Sequence, residues 1–295
     1  MNKMTAVLNI KNDDVLQVCP CCQSSLISKI GTFKYAKKTY YSSSRVQLTN
    51  SPELWCCHSC HSGFTQNRVS EQDSIQLYSL GDGWVSDNFH DTKTQKTVDF
   101  FDSIIKTPCK LLDVGCANGA FLDHVSKKDI STFGLEYSAA NLEQLQAKQH
   151  TAYSDWSEID EHFDIITAFD VVEHLYNLAS FLTNCYDRLV ENGLIILLTG
   201  DICSWSAEKA KNEWWYIKHP EHIVFPSCDY FSSLSNFKLV DTIPVYPRKF
   251  NPRSRSTFKN IAKLSKSALK NLLQQAYYPL PFMPQDHLII VLQKQ

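Results

Sequence analysis

Apolar positions fall into two rhythms over the last two thirds of the chain. Short continuous runs at residues 111–114, 132–135, 163–169 and 194–198 are rich in Leu, Ile, Val and Phe. Such runs suit strands buried on both faces, as in parallel sheets. Between them lie stretches with helical spacing. Phe89, Val98, Phe101, Ile104 and Ile105 suggest a helix within 88–106. Ser138 is placed to cap a helix running to about Gln149, with Leu142 and Leu145 turned to the core. A further helix is expected over 177–190, stopped by Asn192-Gly193. A short third strand leads into Tyr153-Ser154-Asp155-Trp156. Strands alternating with helices imply an α/β fold with a parallel, doubly wound sheet. The first part of the chain reads differently. Residues 1–16 look like a loose start, 39–41 and 45–48 like hairpin strands, and the polar segment 64–87, with Gly81-Asp82-Gly83, like a linker.

The stretch from Leu111 to Leu122 (LLDVGCANGAFL) organises the second region. It begins as a strand and ends as a helix, with Gly115 and Gly119 between. Glycine permits a positive φ and a close approach of ligand to backbone. The following helix start offers unpaired N–H groups to an anionic group. Glu136 follows about 20 residues later, after the second strand, where an acid grips a ribose in doubly wound folds. The spacing is not the G-x-G-x-x-G of dinucleotide sites.

The pattern D-x-G-x-x-x-G resembles motif I of the class I S-adenosylmethionine-dependent methyltransferases. The resemblance implies a Rossmann-like seven-stranded sheet over residues 88–295, with 237–245 and 286–293 as a terminal antiparallel hairpin. It also implies S-adenosyl-L-methionine as cofactor. Asp113, Gly115, Cys116 and Gly119 would hold its methionine end and ribose, and Glu136 the ribose hydroxyls. Asp155 would meet the adenine, and Asp170 would be a further cofactor-binding residue. The family usually has a further glycine where this chain has Ala117. Downstream, D-V-V-E-H-L at 170–175 and H-P-E-H-I at 219–223 resemble methyltransferases of surface-sugar and small-molecule pathways. The acceptor is therefore expected to be a small molecule or sugar, with oxygen as its target atom. Asp170, Glu173, His174 and His222 are the catalytic candidates, with His219 a further base candidate. Histidine has a pKa suited to removing the acceptor's proton. The same four residues resemble the acid-x-x-E-H plus downstream histidine of metal-dependent O-methyltransferases, which implies a second divalent ion at the acceptor site. Asp170 stands where those enzymes usually carry glutamate. Trp205, Trp214, Trp215 and Tyr216 read either as an acceptor wall or as aromatic core.

Eleven cysteines without a secretory signal point to metal ligands and free thiols. Cys19/Cys22 and Cys57/Cys60 form two C-x-x-C knuckles, which suit a structural zinc in a ribbon-like module over 1–63. Cys21, Cys56, His58 and His61 keep the register open. A four-thiolate site is closed, so it is assigned to folding. No apolar run is long enough to span a bilayer, and a cytoplasmic protein is expected.

A net charge of −2 gives no global attraction to nucleic acid. The segment 248–278 holds Arg248, Lys249, Arg253, Arg255, Lys259, Lys263, Lys266 and Lys270 and no acid. Residues 256–276 have the spacing of a basic amphipathic helix, which suits contact with a membrane surface. RNA is its rival there, and a solvated lysine face on a packed helix is the plainer reading. Two other functions stand beside small-molecule methylation: RNA modification with a nucleic-acid-binding ribbon, and cofactor binding without catalysis.

Overall fold

The computed structural model describes residues 7–33, 38–41, 44–79, 95–245 and 285–295. The basic segment 248–278, the turn at Gly81–Gly83 and Phe89 lie outside the described residues. Strand β1 (Leu8–Ile10) is followed by β2 (Ile27–Thr32), β3 (Lys38–Tyr41), β4 (Ser44–Leu48), β5 (Glu53–Cys57) and β6 (Gly63–Gln66). β3 and β4 form the expected hairpin, and β1 adds to β4 in parallel. Within the expected loose start, residues 8–16 are therefore built into the fold. Asn12 is fully buried; its amide donates to the carbonyls of Asn50 at 3.0 Å and Asn67 at 2.9 Å.

The segment expected as a linker is, over 64–79, strand β6 and helix α1 (Glu71–Ser79). Its buried Gln66 is satisfied inside the protein. The Gln66 side chain donates to the Leu16 carbonyl and accepts from the Leu16 N–H, both at 2.7 Å. A buried polar residue costs little once its groups are paired, so polarity here does not mark solvent. β2, β5 and β6 form one sheet, completed at its edge by β12 (Val224–Phe225), from the far end of the chain.

Helix α2 (Gln95–Ile104) leads into the central sheet. There β7 (Cys109–Val114), helix α3 (Ala120–Val125), β8 (Ile130–Leu135), helix α4 (Ala139–Ala147), β9 (Thr151–Tyr153), β10 (Phe163–Phe169), helix α5 (Leu178–Arg188) and β11 (Leu189–Gly200) alternate. Helices α6 (Trp205–Ala210) and α7 (Cys228–Ser232) flank β12, and β13 (Phe237–Val245) and β14 (His287–Lys294) close the sheet. The seven-stranded order is β13-β14-β11-β10-β7-β8-β9. β11 to β9 run parallel, and β14 is antiparallel to both its neighbours.

Successive residues serve opposite faces. Leu112, Val114, Ile166 and Leu197 pack on one side, and Leu111, Ile165, Ile196 and Leu198 on the other. Each such side chain contributes about 1.5–3 kcal/mol by burial. One boundary differs from expectation. Helix α5 ends at Arg188, and Asn192-Gly193 lies within β11. Asn192 has φ 62°, and the β10–β11 register slips between Phe163 and Ile165. The Asn-Gly pair therefore serves a bulge and not a helix stop. Chain direction reverses its crossover between β7 and β10, and the carboxyl ends of these strands form the crevice where ligands bind in such sheets.

Candidate active site

The turn after β7 holds three residues in the left-handed region: Gly115 at φ 69°, Ala117 at 48° and Gly119 at 81°. At Gly115 a Cβ would come 2.6 Å from Val171 Cγ2, so the turn passes close under the loop after β10. Ala117 holds its conformation at a cost of about 1 kcal/mol relative to glycine. Part of the compensation is Glu136: its carboxylate accepts from the Ala117 N–H at 2.9 Å and the Ser138 N–H at 2.8 Å. It thereby ties the turn to the start of α4, which Ser138 caps by accepting from Asn141. Asp113 is buried and accepts from the Thr167 hydroxyl at 2.7 Å. Cys116 is buried beneath the turn, its Sγ where a Cβ on Gly134 would fall. Asp155 stands just past β9 and caps a single 3-10 turn, accepting from the Ser157 N–H at 2.9 Å. Asp170 follows β10 in a left-handed conformation (φ 57°) and donates its N–H to the Leu198 carbonyl at 2.8 Å. The expected cofactor residues thus share the carboxyl edge of the sheet.

Beside Asp170, one 3-10 turn (Val172–His174) carries Glu173 and His174. His222 comes to meet them, so that one ligand atom from each of the three lies within 4.8 Å of the others. Glu173 is fully buried; it accepts from the Tyr216 hydroxyl and, at 3.0 Å, from Thr199 Oγ1. Burial and the neighbouring Asp170 push its pKa up to about 7. Nδ1 of His174 faces the Glu221 carbonyl at 3.0 Å and the Tyr78 hydroxyl at 2.8 Å. A carbonyl only accepts, so Nδ1 carries the proton and Nε2 keeps its lone pair. The His222 ring meets His174 and Tyr216 edge-on at 4.7 and 4.6 Å between centroids. Its Nδ1 is buried without a hydrogen-bond partner. Burial lowers the pKa of both histidines, so both are neutral donors.

His219 does not join them. Its ring lies 5.9 Å from that of Phe33, buried, with neither nitrogen hydrogen-bonded. The aromatic segment divides: Trp214 and Tyr216 are core, Trp215 is partly buried and Trp205 is exposed. Three contributors escaped the sequence reading. Tyr78 comes from α1. Asp286 accepts from the indoles of Trp214 at 3.1 Å and Trp215 at 2.5 Å and faces His287 Nδ1 at 3.0 Å. His287 in turn packs edge-on against Tyr216 at 4.6 Å. The adjacent Asp-His pair opening the last strand was the one signal available.

The cysteine knuckles converge as expected. Cys19, Cys22, Cys57 and Cys60 bring all four sulfurs within 4.8 Å of one another. Cys19–Cys60 is 3.7 Å and Cys22–Cys57 is 3.5 Å. A tetrahedron with Zn–S bonds of about 2.3 Å has edges of about 3.8 Å, whereas a disulfide needs about 2.05 Å. The two alternative histidines are engaged elsewhere: His58 with Ser28 at 2.8 Å, and His61 with Asp229 at 2.5 Å.

A seven-stranded sheet with this order, and a glycine turn after β7, defines a Rossmann-like S-adenosylmethionine-dependent methyltransferase. The chain belongs to the Methyltransf_23 family of methyltransferase domains, whose model matches residues 87–236. It is 34% identical over 99 residues to the ubiquinone biosynthesis O-methyltransferase of Bradyrhizobium diazoefficiens, covering 30% of this chain and 39% of the relative. The enzyme of the same name from Rhodopseudomonas palustris HaA2 is 31% identical over 101 residues, with 30% and 39% covered. The chain thus spans about two fifths of the length of these relatives. Among solved structures it is similar to coclaurine N-methyltransferase bound to N-methylheliamine and SAH. That match has a TM-score of 0.48 and 16% identity, and covers 68% of this chain and 72% of the other. Among the described residues, no helix is long and apolar enough to cross a membrane.

Proposed function

We propose that the chain methylates a hydroxyl oxygen of a small-molecule or sugar-pathway acceptor. In this reading Asp113, Gly115, Cys116, Gly119 and Glu136 hold the cofactor's methionine end and ribose. Asp155 and Asp170 border the adenine and the transferring methyl. S-adenosylmethionine supplies an electrophilic methyl on a sulfonium, so the protein's work is alignment and proton removal. The acceptor then sits against Glu173, His174 and His222.

One observation carries the acceptor assignment. A buried carboxylate and two neutral imidazoles converge at the carboxyl end of β10, and His222 Nδ1 is left without a partner. An orphaned buried donor atom beside two other ligand groups suits a divalent ion, which would acidify a bound hydroxyl. Ligand bonds of about 2.1 Å space donors roughly 3–4 Å apart, so little inward movement is needed. Without the ion, either histidine has the lone pair to take the proton. The names of the matching relatives favour oxygen as the target atom. In the same reading Cys19, Cys22, Cys57 and Cys60 hold a structural zinc.

A screen of hydroxylated small molecules and sugar nucleotides with methyl-labelled cofactor tests this. Label should enter a hydroxyl, and His222→Ala should abolish transfer while cofactor affinity persists. Label found only on nitrogen or only in RNA would defeat the proposal. Transfer unaffected by exhaustive chelation would remove the acceptor-site ion from it.

A further inference from the structure

The cysteine site and the acceptor residues are joined by backbone. β5 ends in Cys57 and pairs with β6. β6 pairs in turn with β12, Val224 opposite Phe64 and Phe225 opposite Gly63. Ile223 sits between this sheet and the acceptor site. Its carbonyl accepts from the Thr65 N–H at 2.9 Å, and its own N–H donates to the Glu173 carbonyl at 2.8 Å. The residue before it is His222. A second tie lies just downstream. The Ser227 hydroxyl donates to the Cys60 carbonyl, and the Ser227 N–H donates to Ser62 Oγ at 3.1 Å. Ser62 Oγ also lies 3.3 Å from Cys60 Sγ, where its hydroxyl can donate to a metal-bound thiolate. Tyr78 of α1 also reaches His174 while its ring packs edge-on against Tyr41 at 5.2 Å, a contact independent of the cysteines.

We propose that the four-cysteine site is a positioning centre for the acceptor site. The ion it holds fixes the Cys57–Cys60 knuckle, and the knuckle, through Ser227 and the β6–β12 pairing, fixes Ile223 and hence His222 and Glu173. The proposal rests on the zinc reading above. The β6–β12 ladder is only two residue pairs long. So short a ladder opens readily unless something anchors its ends. Once the ion is lost, the knuckle is held by hydrogen bonds alone, and the segment after His222 loses its fixed neighbour. The cofactor half hangs from β7, β8 and α4 and shares none of these bonds, so it should not respond.

Hydrogen exchange read by mass spectrometry on the whole chain tests this without an acceptor. Three samples are compared: protein as purified with its zinc content measured, protein stripped by chelation under reducing conditions, and protein with its thiols alkylated. On stripping, peptides covering 56–66 should exchange about 10-fold faster or more, and those covering 171–176 and 221–227 should follow. Peptides covering 109–136 should keep their protection. Loosening confined to 56–66 would overturn the proposal. Loosening that reaches 109–136 would also overturn it, since the module would then support the whole fold without distinction. Absence of metal from the purified protein would refute the zinc reading separately, and the alkylated sample would then decide whether the knuckle carries the coupling. Ser227→Ala should retain its zinc yet loosen 221–227; unchanged protection there would count against the Ser227 tie.

Discussion

Gly200→Ala should disable the acceptor site while sparing the cofactor site. Gly200 is the last residue of β11, and the Tyr216 ring lies directly over it. A Cβ there would overlap Tyr216 Cδ1 and Cε1 and come 2.9 Å from Trp214 Cη2. Carbon atoms rest at about 3.5–4.0 Å, so the ring must retreat by roughly 1 Å or more. It has no room to do so. The rings of Trp214, His222 and His287 stand at centroid distances of 5.3, 4.6 and 4.6 Å from it. Overpacking of this kind costs about 1–3 kcal/mol. Withdrawing the Tyr216 hydroxyl from the buried Glu173 carboxyl adds about 1–3 kcal/mol. Together they should lower the unfolding free energy by roughly 2–6 kcal/mol, read from urea midpoints at unchanged slope. Cofactor affinity by calorimetry should hold. Tyr216→Leu vacates the ring position, so Gly200→Ala in that background should cost less than about 1 kcal/mol, a coupling that a double-mutant cycle reads directly. A loss of the same size in both backgrounds would refute the steric argument. So would a stable Gly200→Ala protein in the wild-type background.

Three further outcomes are expected. Asp113→Ala and Glu136→Ala should each weaken S-adenosylmethionine binding by about 1–3 kcal/mol in calorimetry, since each leaves ligand groups unpaired; full affinity in both would remove them from the cofactor site. Glu173, with its pKa raised to about 7, favours the folded state most below its unfolded pKa, and this contribution is lost as pH rises through 7. In metal-free protein, Glu173→Gln should therefore gain stability relative to wild type by roughly 3 kcal/mol between pH 4.5 and 7.5, and parallel pH profiles would contradict the assignment. Residues 256–276, a reading from sequence alone, should carry the chain to anionic vesicles at low salt, and flotation that survives replacing Lys259, Lys263, Lys266 and Lys270 with glutamine would sink it.

The sheet was legible because its strands are apolar on both faces, short and rich in β-branched residues, as in 163–169, and alternate with helical stretches. The turn after β7 was legible because left-handed backbone calls for glycine at 115 and 119. Ala117 shows the limit of that signal, since its conformation is held by Glu136 from another strand. What stayed hidden depends on partners far along the chain. Thr65 meets Ile223, 158 positions on, and so β6 passes for a polar linker. Tyr78 meets His174 across 96 positions, and Asp286 reaches back 72 positions to Trp214. His219 and His222 make the same point at close range. They are equal in the string H-P-E-H-I, and both sit in one turn in which the Glu221 and His222 N–H groups donate to the Lys218 carbonyl. The turn sends one ring toward Phe33 and the other toward Tyr216. Only the second is next to a residue, Ile223, that the N-terminal module and Glu173 both hold. Its place beside Glu173 and His174 thus comes from the β6–β12 pairing and not from the histidine itself, so spacing alone does not separate the two, and only the resemblance to metal-dependent O-methyltransferases put His222 ahead.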